Sequence, residues 1–242
     1  MDRHNDGVMN IHVTETYSCH KPAWFRMQGV NKAPEHYYTL RGNLLHSHIE
    51  DFLKANLSRN SVNQYWDINK TVDQLRLSPL VAEKLKEELQ NGWKNFLDFY
   101  KDYLMEFAYK REHIKLVEEA LEMELRDGFK LVGRPDLVTD KTIWDFKSGK
   151  ASRSVSKEYK LQLSLYKLLL NDKDLRLRLV FLGGPRYEVR EVIADDGLTL
   201  DMMRVINQAI EHRKSMIEGN EPPAKFSFYC SMCGYRHVCR GV

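Results

Sequence analysis

The segment Leu131-Val-Gly-Arg-Pro-Asp136-Leu-Val-Thr-Asp140-Lys-Thr-Ile-Trp-Asp145-Phe-Lys147 constrains the fold more than any other stretch of the chain. Val132, Leu137, Val138, Ile143, Trp144 and Phe146 favour strands, and Thr139-Asp140-Lys141 between the two runs reads as a tight turn, so a β-hairpin is expected. Side chains alternate along a strand, which puts Asp145 and Lys147 on one face. Pairing around the turn can bring Asp136 near Asp145. A D-x-K triplet alone reads as a surface salt bridge. Two carboxylates and an ammonium converging on a sheet can do more: hard oxygen ligands suit Mg²⁺ or Mn²⁺. Such an ion polarises a phosphoryl oxygen, and a lysine beside it can orient or deprotonate water.

Other stretches supply partners. From Tyr38 to about Leu57, Leu40, Leu44, Leu45, Ile49, Phe52 and Leu53 recur at helical spacing. His46 and Glu50, four apart, share a face of that helix, while His48 points elsewhere and reads as structural. By spacing alone such a histidine and glutamate read as a solvated pair. Glu50 fits the orienting of a neighbour better than metal binding. Pro79 opens a long helical stretch whose aromatic residues read as a buried stripe. Residues 116–125 read as a first strand, hairpinned to the motif strand through Asp127-Gly128, with Glu119 as a secondary site candidate. After Lys147 a small basic loop leads to a helix over 157–170, on which Gln162 and Tyr166, four apart, share a face. Strands are expected over 175–182 and 187–193, then an amphipathic helix over 198–218.

A chain of 242 residues with 43% hydrophobic and 29% charged residues suits one sizeable domain. Its net charge of +3 permits a phosphate-binding face without requiring one. No apolar run reaches transmembrane length and the first residues lack a signal-peptide core, so an intracellular setting without a membrane partner is expected. In that setting four cysteines read as metal ligands rather than disulfides. Cys230-x-x-Cys233 brings two thiolates to one centre, Cys239 can add a third and Cys19 a fourth, tying the chain ends together. Zinc and iron–sulfur clusters both accept such thiolates.

Taken together, these motifs resemble the PD-(D/E)XK nucleases. Gly133-Arg-Pro-Asp136 followed by Asp145-Phe-Lys147 is similar to their two central motifs. Gly42…His46…Glu50 upstream and Gln162…Tyr166 downstream resemble the additions of the RecB-type branch, and the four cysteines those of its cluster-bearing members. The likeness spans about Cys19 to Cys239 and is strongest to the CRISPR-associated RecB-like exonucleases, the Cas-four family. It implies a restriction-endonuclease-like α/β fold: a mixed sheet flanked by helices, an N-terminal helical portion over the groove, and one domain over 1–242 with a helical insertion at about 56–111. By the same likeness, His46, Asp136, Asp145 and the Phe146 carbonyl would bind Mn²⁺ or Mg²⁺. Lys147 would activate water, with Gln162 and Tyr166 holding the phosphate. Cys19, Cys230, Cys233 and Cys239 would hold a structural [4Fe-4S] cluster, with [2Fe-2S] or Zn²⁺ as alternatives. The implied activity is exonucleolytic hydrolysis of single-stranded DNA ends in CRISPR spacer acquisition, with integrase partners. A recombination, repair or viral nuclease and a catalytically silent DNA-binding scaffold are the alternatives. Asp145 stands where glutamate is more frequent, which shortens the reach to a metal.

Overall fold

In a computed structural model, residues 9–57, 66–105, 111–194 and 196–239 are described. Their elements in chain order are β1 (Asn10–His12), α1 (Val13–Tyr17), α2 (Lys21–Met27), α3 (Tyr37–Leu57), α4 (Ile68–Asp73), α5 (Pro79–Tyr103), β2 (Ile114–Val117), β3 (Leu121–Glu124), β4 (Lys130–Gly133), β5 (Leu137–Thr139), β6 (Thr142–Lys147), α6 (Lys157–Leu170), β7 (Arg176–Phe181), β8 (Glu188–Val192) and α7 (Asp196–Ile217). Short 3₁₀ turns cover Arg126–Gly128 and Phe228–Met232.

The strands form two mixed sheets, ordered β1-β4-β3 and β2-β5-β6-β7-β8. The expected hairpin is β5–β6, antiparallel, with Leu137 opposite Trp144 and Val138 opposite Ile143. It is shorter than the motif that announced it. Pro135 has no N–H to donate and biases Arg134 towards extended backbone, so the ladder breaks there and β4 belongs to the other sheet. The strand expected over 116–125 is likewise two strands. Glu118 holds φ 50, a left-handed bend that sends β2 to pair with β5 and β3 to pair with β4. β6 runs parallel to β7 through the crossover helix α6, and β8 returns antiparallel.

Within the stretch 56–111, read from sequence as an insertion, the described residues 66–105 build one cover of the larger sheet. Ser78 in extended conformation followed by Pro79 starts α5, as expected where the first N–H groups have no helical partner. Leu85, Leu89, Trp93, Phe96 and Phe99 recur every three or four residues, and this stripe is buried. Phe99 packs edge-on against Trp144 and Phe146, with ring centres 5.0 and 5.5 Å apart. α3 lies beside α5, close enough that a methyl on Gly92 would come within 2.9 Å of Leu45. His48 is structural, as expected, stacked on Trp66 at 4.2 Å and edge-on to Trp93 at 4.5 Å.

α6 covers the opposite face and touches β3 and β4 of the small sheet as well as β6 and β7. Ser156 caps its start by accepting from Tyr159 N at 3.3 Å, and Asn171 ends it in left-handed conformation. A buried carboxylate locks the closed end of the hairpin. Glu112 accepts from Thr139 Oγ1 at 2.5 Å, Thr142 Oγ1 at 3.0 Å, Trp144 Nε1 at 3.1 Å and an Arg176 terminal nitrogen at 2.8 Å. Among the described residues no helix is long and apolar enough to cross a membrane.

Candidate active site

Alternation along β6 divides its side chains by task. Trp144 and Phe146 enter the core under α5, whereas Ile143, Asp145 and Lys147 turn towards α6. Asp145 is buried at 1% exposure, with Oδ2 2.6 Å from Lys147 Nζ. The same ammonium donates to Gln162 Oε1 at 3.1 Å and sits 4.4 Å from the centre of the Tyr159 ring. Gln162 Nε2 in turn donates to the Tyr166 hydroxyl at 3.2 Å. Gly133 admits this arrangement, since a Cβ there would lie 2.5 Å from Leu169 Cδ1 and 3.0 Å from the Tyr166 ring.

Asp136 follows Pro135 on the break between the sheets. Its Oδ2 accepts from Phe146 N at 2.6 Å, and its Oδ1 lies 3.5 Å from His46 Nδ1 on α3. The bend at Glu118 adds a second acid, its N–H donating to the Asp136 carbonyl at 3.2 Å. Ligand atoms of His46, Glu118 and Asp136 all lie within 4.8 Å of one another. Arg134 braces the group. Its Nε donates to the Glu118 carbonyl at 2.5 Å and lies 3.1 Å from Glu118 Oε2, while a terminal nitrogen donates to Glu50 Oε1 at 2.8 Å.

The structure therefore brings together the acids, histidine, lysine, glutamine and tyrosine expected from sequence, with one addition. Glu118 joins His46 and Asp136 in the group of candidate ligand atoms, and Asp145 is paired with Lys147; of the two neighbouring glutamates the sequence singles out Glu119 instead. The signal was the pair of glutamates interrupting two alternating apolar runs. Nothing in a glutamate marks a positive φ. Glu50 orients a neighbour, as expected, through Arg134.

Crowding sets the protonation pattern. Burial pulls His46 down, but Asp136 outweighs it and lifts the imidazole to about 9. For Asp136, burial is outweighed by His46 and Lys147, which hold it below the usual carboxylate range. Burial, then the Asp136 charge, pushes Glu118 up to about 7. Burial also raises Asp145 to about 6, against the pull of Lys147. Lys147 stays above the ordinary lysine value because Asp145 and Asp136 outweigh its burial. Burial raises Tyr166, which keeps its phenol neutral. One imidazole nitrogen and two carboxylates form a donor set that fits Mn²⁺ or Mg²⁺, and a cation entering there has to release the His46 proton.

Beside these residues opens a cavity of about 920 Å³, reaching from His46 and Lys147 to the C-terminal segment. Its walls carry eight lysines and arginines, among them Lys21, Arg26, Arg41, Lys150 and Lys225, against the single acid Glu158. Five of the eight are ion-paired with acids outside the walls, Lys21 with Glu221, Arg26 with Glu15, Lys32 with Glu35, Arg41 with Glu88 and Lys147 with Asp145, so the net positive charge is smaller than their number.

The four cysteines share a cavity without forming a zinc site. Cys19, Cys230, Cys233 and Cys239 are free thiols lining that same cavity. Among the described residues, however, no three of their sulfurs lie within 4.8 Å of one another. A single tetrahedral zinc needs sulfurs about 3.8 Å apart, so these do not fit one. The chain ends are held by other bonds: Lys21 to Glu221 at 2.7 Å, Lys225 Nζ to the Tyr17 carbonyl at 2.6 Å, and Ala33 N to the Gly234 carbonyl at 2.8 Å. Cys19 Sγ and Cys230 Sγ both contact the Lys225 backbone, at 3.4 and 3.9 Å.

Residues 15–240 match the family model of the PD-(D/E)XK nuclease superfamily. No curated protein matches the chain. Among solved structures, an exonuclease candidate from Eubacterium rectale is 12% identical with a TM-score of 0.57, over 98% of this chain and 91% of that one. An alkaline exonuclease from Laribacter hongkongensis is 10% identical with a TM-score of 0.47, over 89% and 93%.

Proposed function

The chain belongs to the PD-(D/E)XK nuclease superfamily, and from that premise we propose that it is a Mn²⁺- or Mg²⁺-dependent deoxyribonuclease that hydrolyses single-stranded DNA from its ends. The observation that carries the reading is the convergence of His46, Glu118 and Asp136 ligand atoms within 4.8 Å, beside the Lys147–Asp145 pair.

When bound, the cation supplies Lewis-acid polarisation of the phosphoryl oxygen and a more acidic water. His46, Glu118 and Asp136 would hold it, with Asp145 and the Phe146 carbonyl as further ligands implied by the motifs. From sequence Lys147 would activate water, and as an ammonium it can do so by orienting it. Asp145 keeps it protonated, so it donates to a phosphate oxygen and steadies the charge that gathers there. Gln162 aims the ammonium and Tyr166 offers a neutral donor towards the phosphate. The lysines and arginines of the cavity support a polyanionic strand held by sequence-independent phosphate contacts. An end-directed mode accords with the exonuclease designation of the Eubacterium rectale structure, whose fold this chain shares.

The motif order, with cysteines at both chain ends, supports placement in the CRISPR-associated branch and trimming of DNA ends before integration by partner proteins. A [4Fe-4S] cluster on Cys19, Cys230, Cys233 and Cys239 belongs to that placement and takes no part in hydrolysis. Iron and sulfide analysis of protein purified without oxygen tests it: about four of each per chain supports the cluster, and neither in folded protein removes it.

Single-stranded DNA labelled separately at each end, incubated with wild type and Asp136→Asn with and without Mn²⁺, tests the activity. Metal-dependent shortening from one end by wild type alone is expected. Intact substrate with folded, metal-loaded wild type would sink the proposal.

A further inference from the structure

Glu118 reaches the metal-binding group from a left-handed backbone at φ 50, which a side-chain-bearing residue keeps only when its surroundings hold it. Its N–H bond to the Asp136 carbonyl is one restraint, and a single guanidinium supplies others. Arg134 Nε meets both the main-chain carbonyl of Glu118, at 2.5 Å, and its carboxylate oxygen Oε2, at 3.1 Å. A terminal nitrogen of the same guanidinium donates to Glu50 Oε1 at 2.8 Å, and Lys54 holds that oxygen from the other side at 2.6 Å. Arg134 thus ties the bend after β2 to α3, the helix that carries His46.

We infer that Arg134 is a positioning residue for the metal centre, a planar clamp that presents the Glu118 carboxylate beside His46 and Asp136, with Glu50 as its anchor on α3. The inference rests on the reading of His46, Glu118 and Asp136 as metal ligands. Half-exposed ion pairs contribute little to folding, and Arg134 is 53% exposed, so its effect falls on the metal and not on the fold. Residues that orient a ligand from behind typically change metal affinity 10–100-fold when removed. A lysine keeps the charge but lacks the fork that meets carbonyl, carboxylate and Glu50 at once.

The test is calorimetric titration of the DNA-free protein with Mn²⁺, with circular dichroism and metal-free melting as checks of folding. Arg134→Ala is expected to bind Mn²⁺ about 10–100-fold more weakly at an unchanged metal-free melting temperature, and Arg134→Lys is expected to stay well below wild type. Glu50→Gln, which loosens the anchor and keeps the guanidinium, is expected to lose several-fold. Wild-type affinity in Arg134→Ala overturns the inference, as does full recovery in Arg134→Lys. Asp136→Asn separates the two layers. If it binds Mn²⁺ like wild type, the metal-site reading itself fails; if it loses Mn²⁺ while Arg134→Ala does not, only the clamp fails.

Discussion

Lys147 Nζ lies 2.6 Å from Asp145 Oδ2 and 3.1 Å from Gln162 Oε1, so one ammonium ties a strand carboxylate to a helix amide. Removing it strips the site of its aimed donor and releases a buried acid. Lys147→Ala is expected to slow single-turnover cleavage about 10²–10³-fold, the range for losing one preorganised charge-stabilising donor. Mn²⁺ affinity should hold or rise, because Asp145 becomes free to ligate. Parallel rapid-quench kinetics and calorimetry check both halves, and a drop in metal affinity would show Lys147 to be a prop of the metal group.

Gly133 is the close-approach point between β4 and α6. Gly133→Ala puts a methyl 2.5 Å from Leu169 Cδ1, 2.9 Å from Val13 Cγ2 and 3.0 Å from the Tyr166 ring, and these neighbours have to shift. Overpacking of that kind costs about 1–3 kcal/mol. Urea denaturation should show the loss, accompanied by slower cleavage because Tyr166 and Gln162 share a hydrogen bond.

Glu112 is a stability residue distant in role from the chemistry. Glu112→Ala leaves Thr139, Thr142 and Trp144 short of an acceptor inside the hairpin, and unmet buried donors cost about 1–3 kcal/mol each. A net loss of about 3 kcal/mol is expected, allowing for Thr139 Oγ1 also bonding to the Thr142 carbonyl. At a temperature where the variant remains folded, its cleavage rate should match wild type.

Burial between Trp66 and Trp93 lowers His48 to about 4 in the folded chain, against 6.5 when it is exposed. A folded-state value below the unfolded one means the neutral imidazole is favoured by folding. Its contribution is complete above pH 6.5 and is lost as the pH falls from 6.5 through 4. His48→Phe keeps an aromatic ring in the slot without a titrating nitrogen. The urea midpoint of this variant is expected to fall less than that of wild type between pH 7 and pH 4.5. Equal falls would assign the acid sensitivity to other groups.

Periodicity was a good guide where one face of an element is buried throughout. The helix over 157–170 and the face shared by Gln162 and Tyr166 follow from that pattern, and so does the buried stripe of α5. Reach across the structure was not readable. Asp145 carries the motif identity of a ligand, yet its short side chain lies against Lys147, and Glu118 is the carboxylate found beside His46 and Asp136. Glu118 is unremarkable in sequence because its role depends on a left-handed bend and on an arginine sixteen residues later. The cysteines show the converse. Their spacing invites a shared centre, and the C-terminal segment that carries three of them is anchored through Lys21, Tyr17 and Ala33, contacts no spacing rule contains.

β6 gives alternate residues to the core and to the chemistry. A library of variants across Thr142–Lys147, scored separately for abundance and for DNA degradation, should therefore separate into two interleaved sets. Changes at Trp144 and Phe146 would deplete the protein, and changes at Asp145 and Lys147 would leave it present but inert. Selection can thus act on one trait with little drag on the other, although both are written in the same six codons.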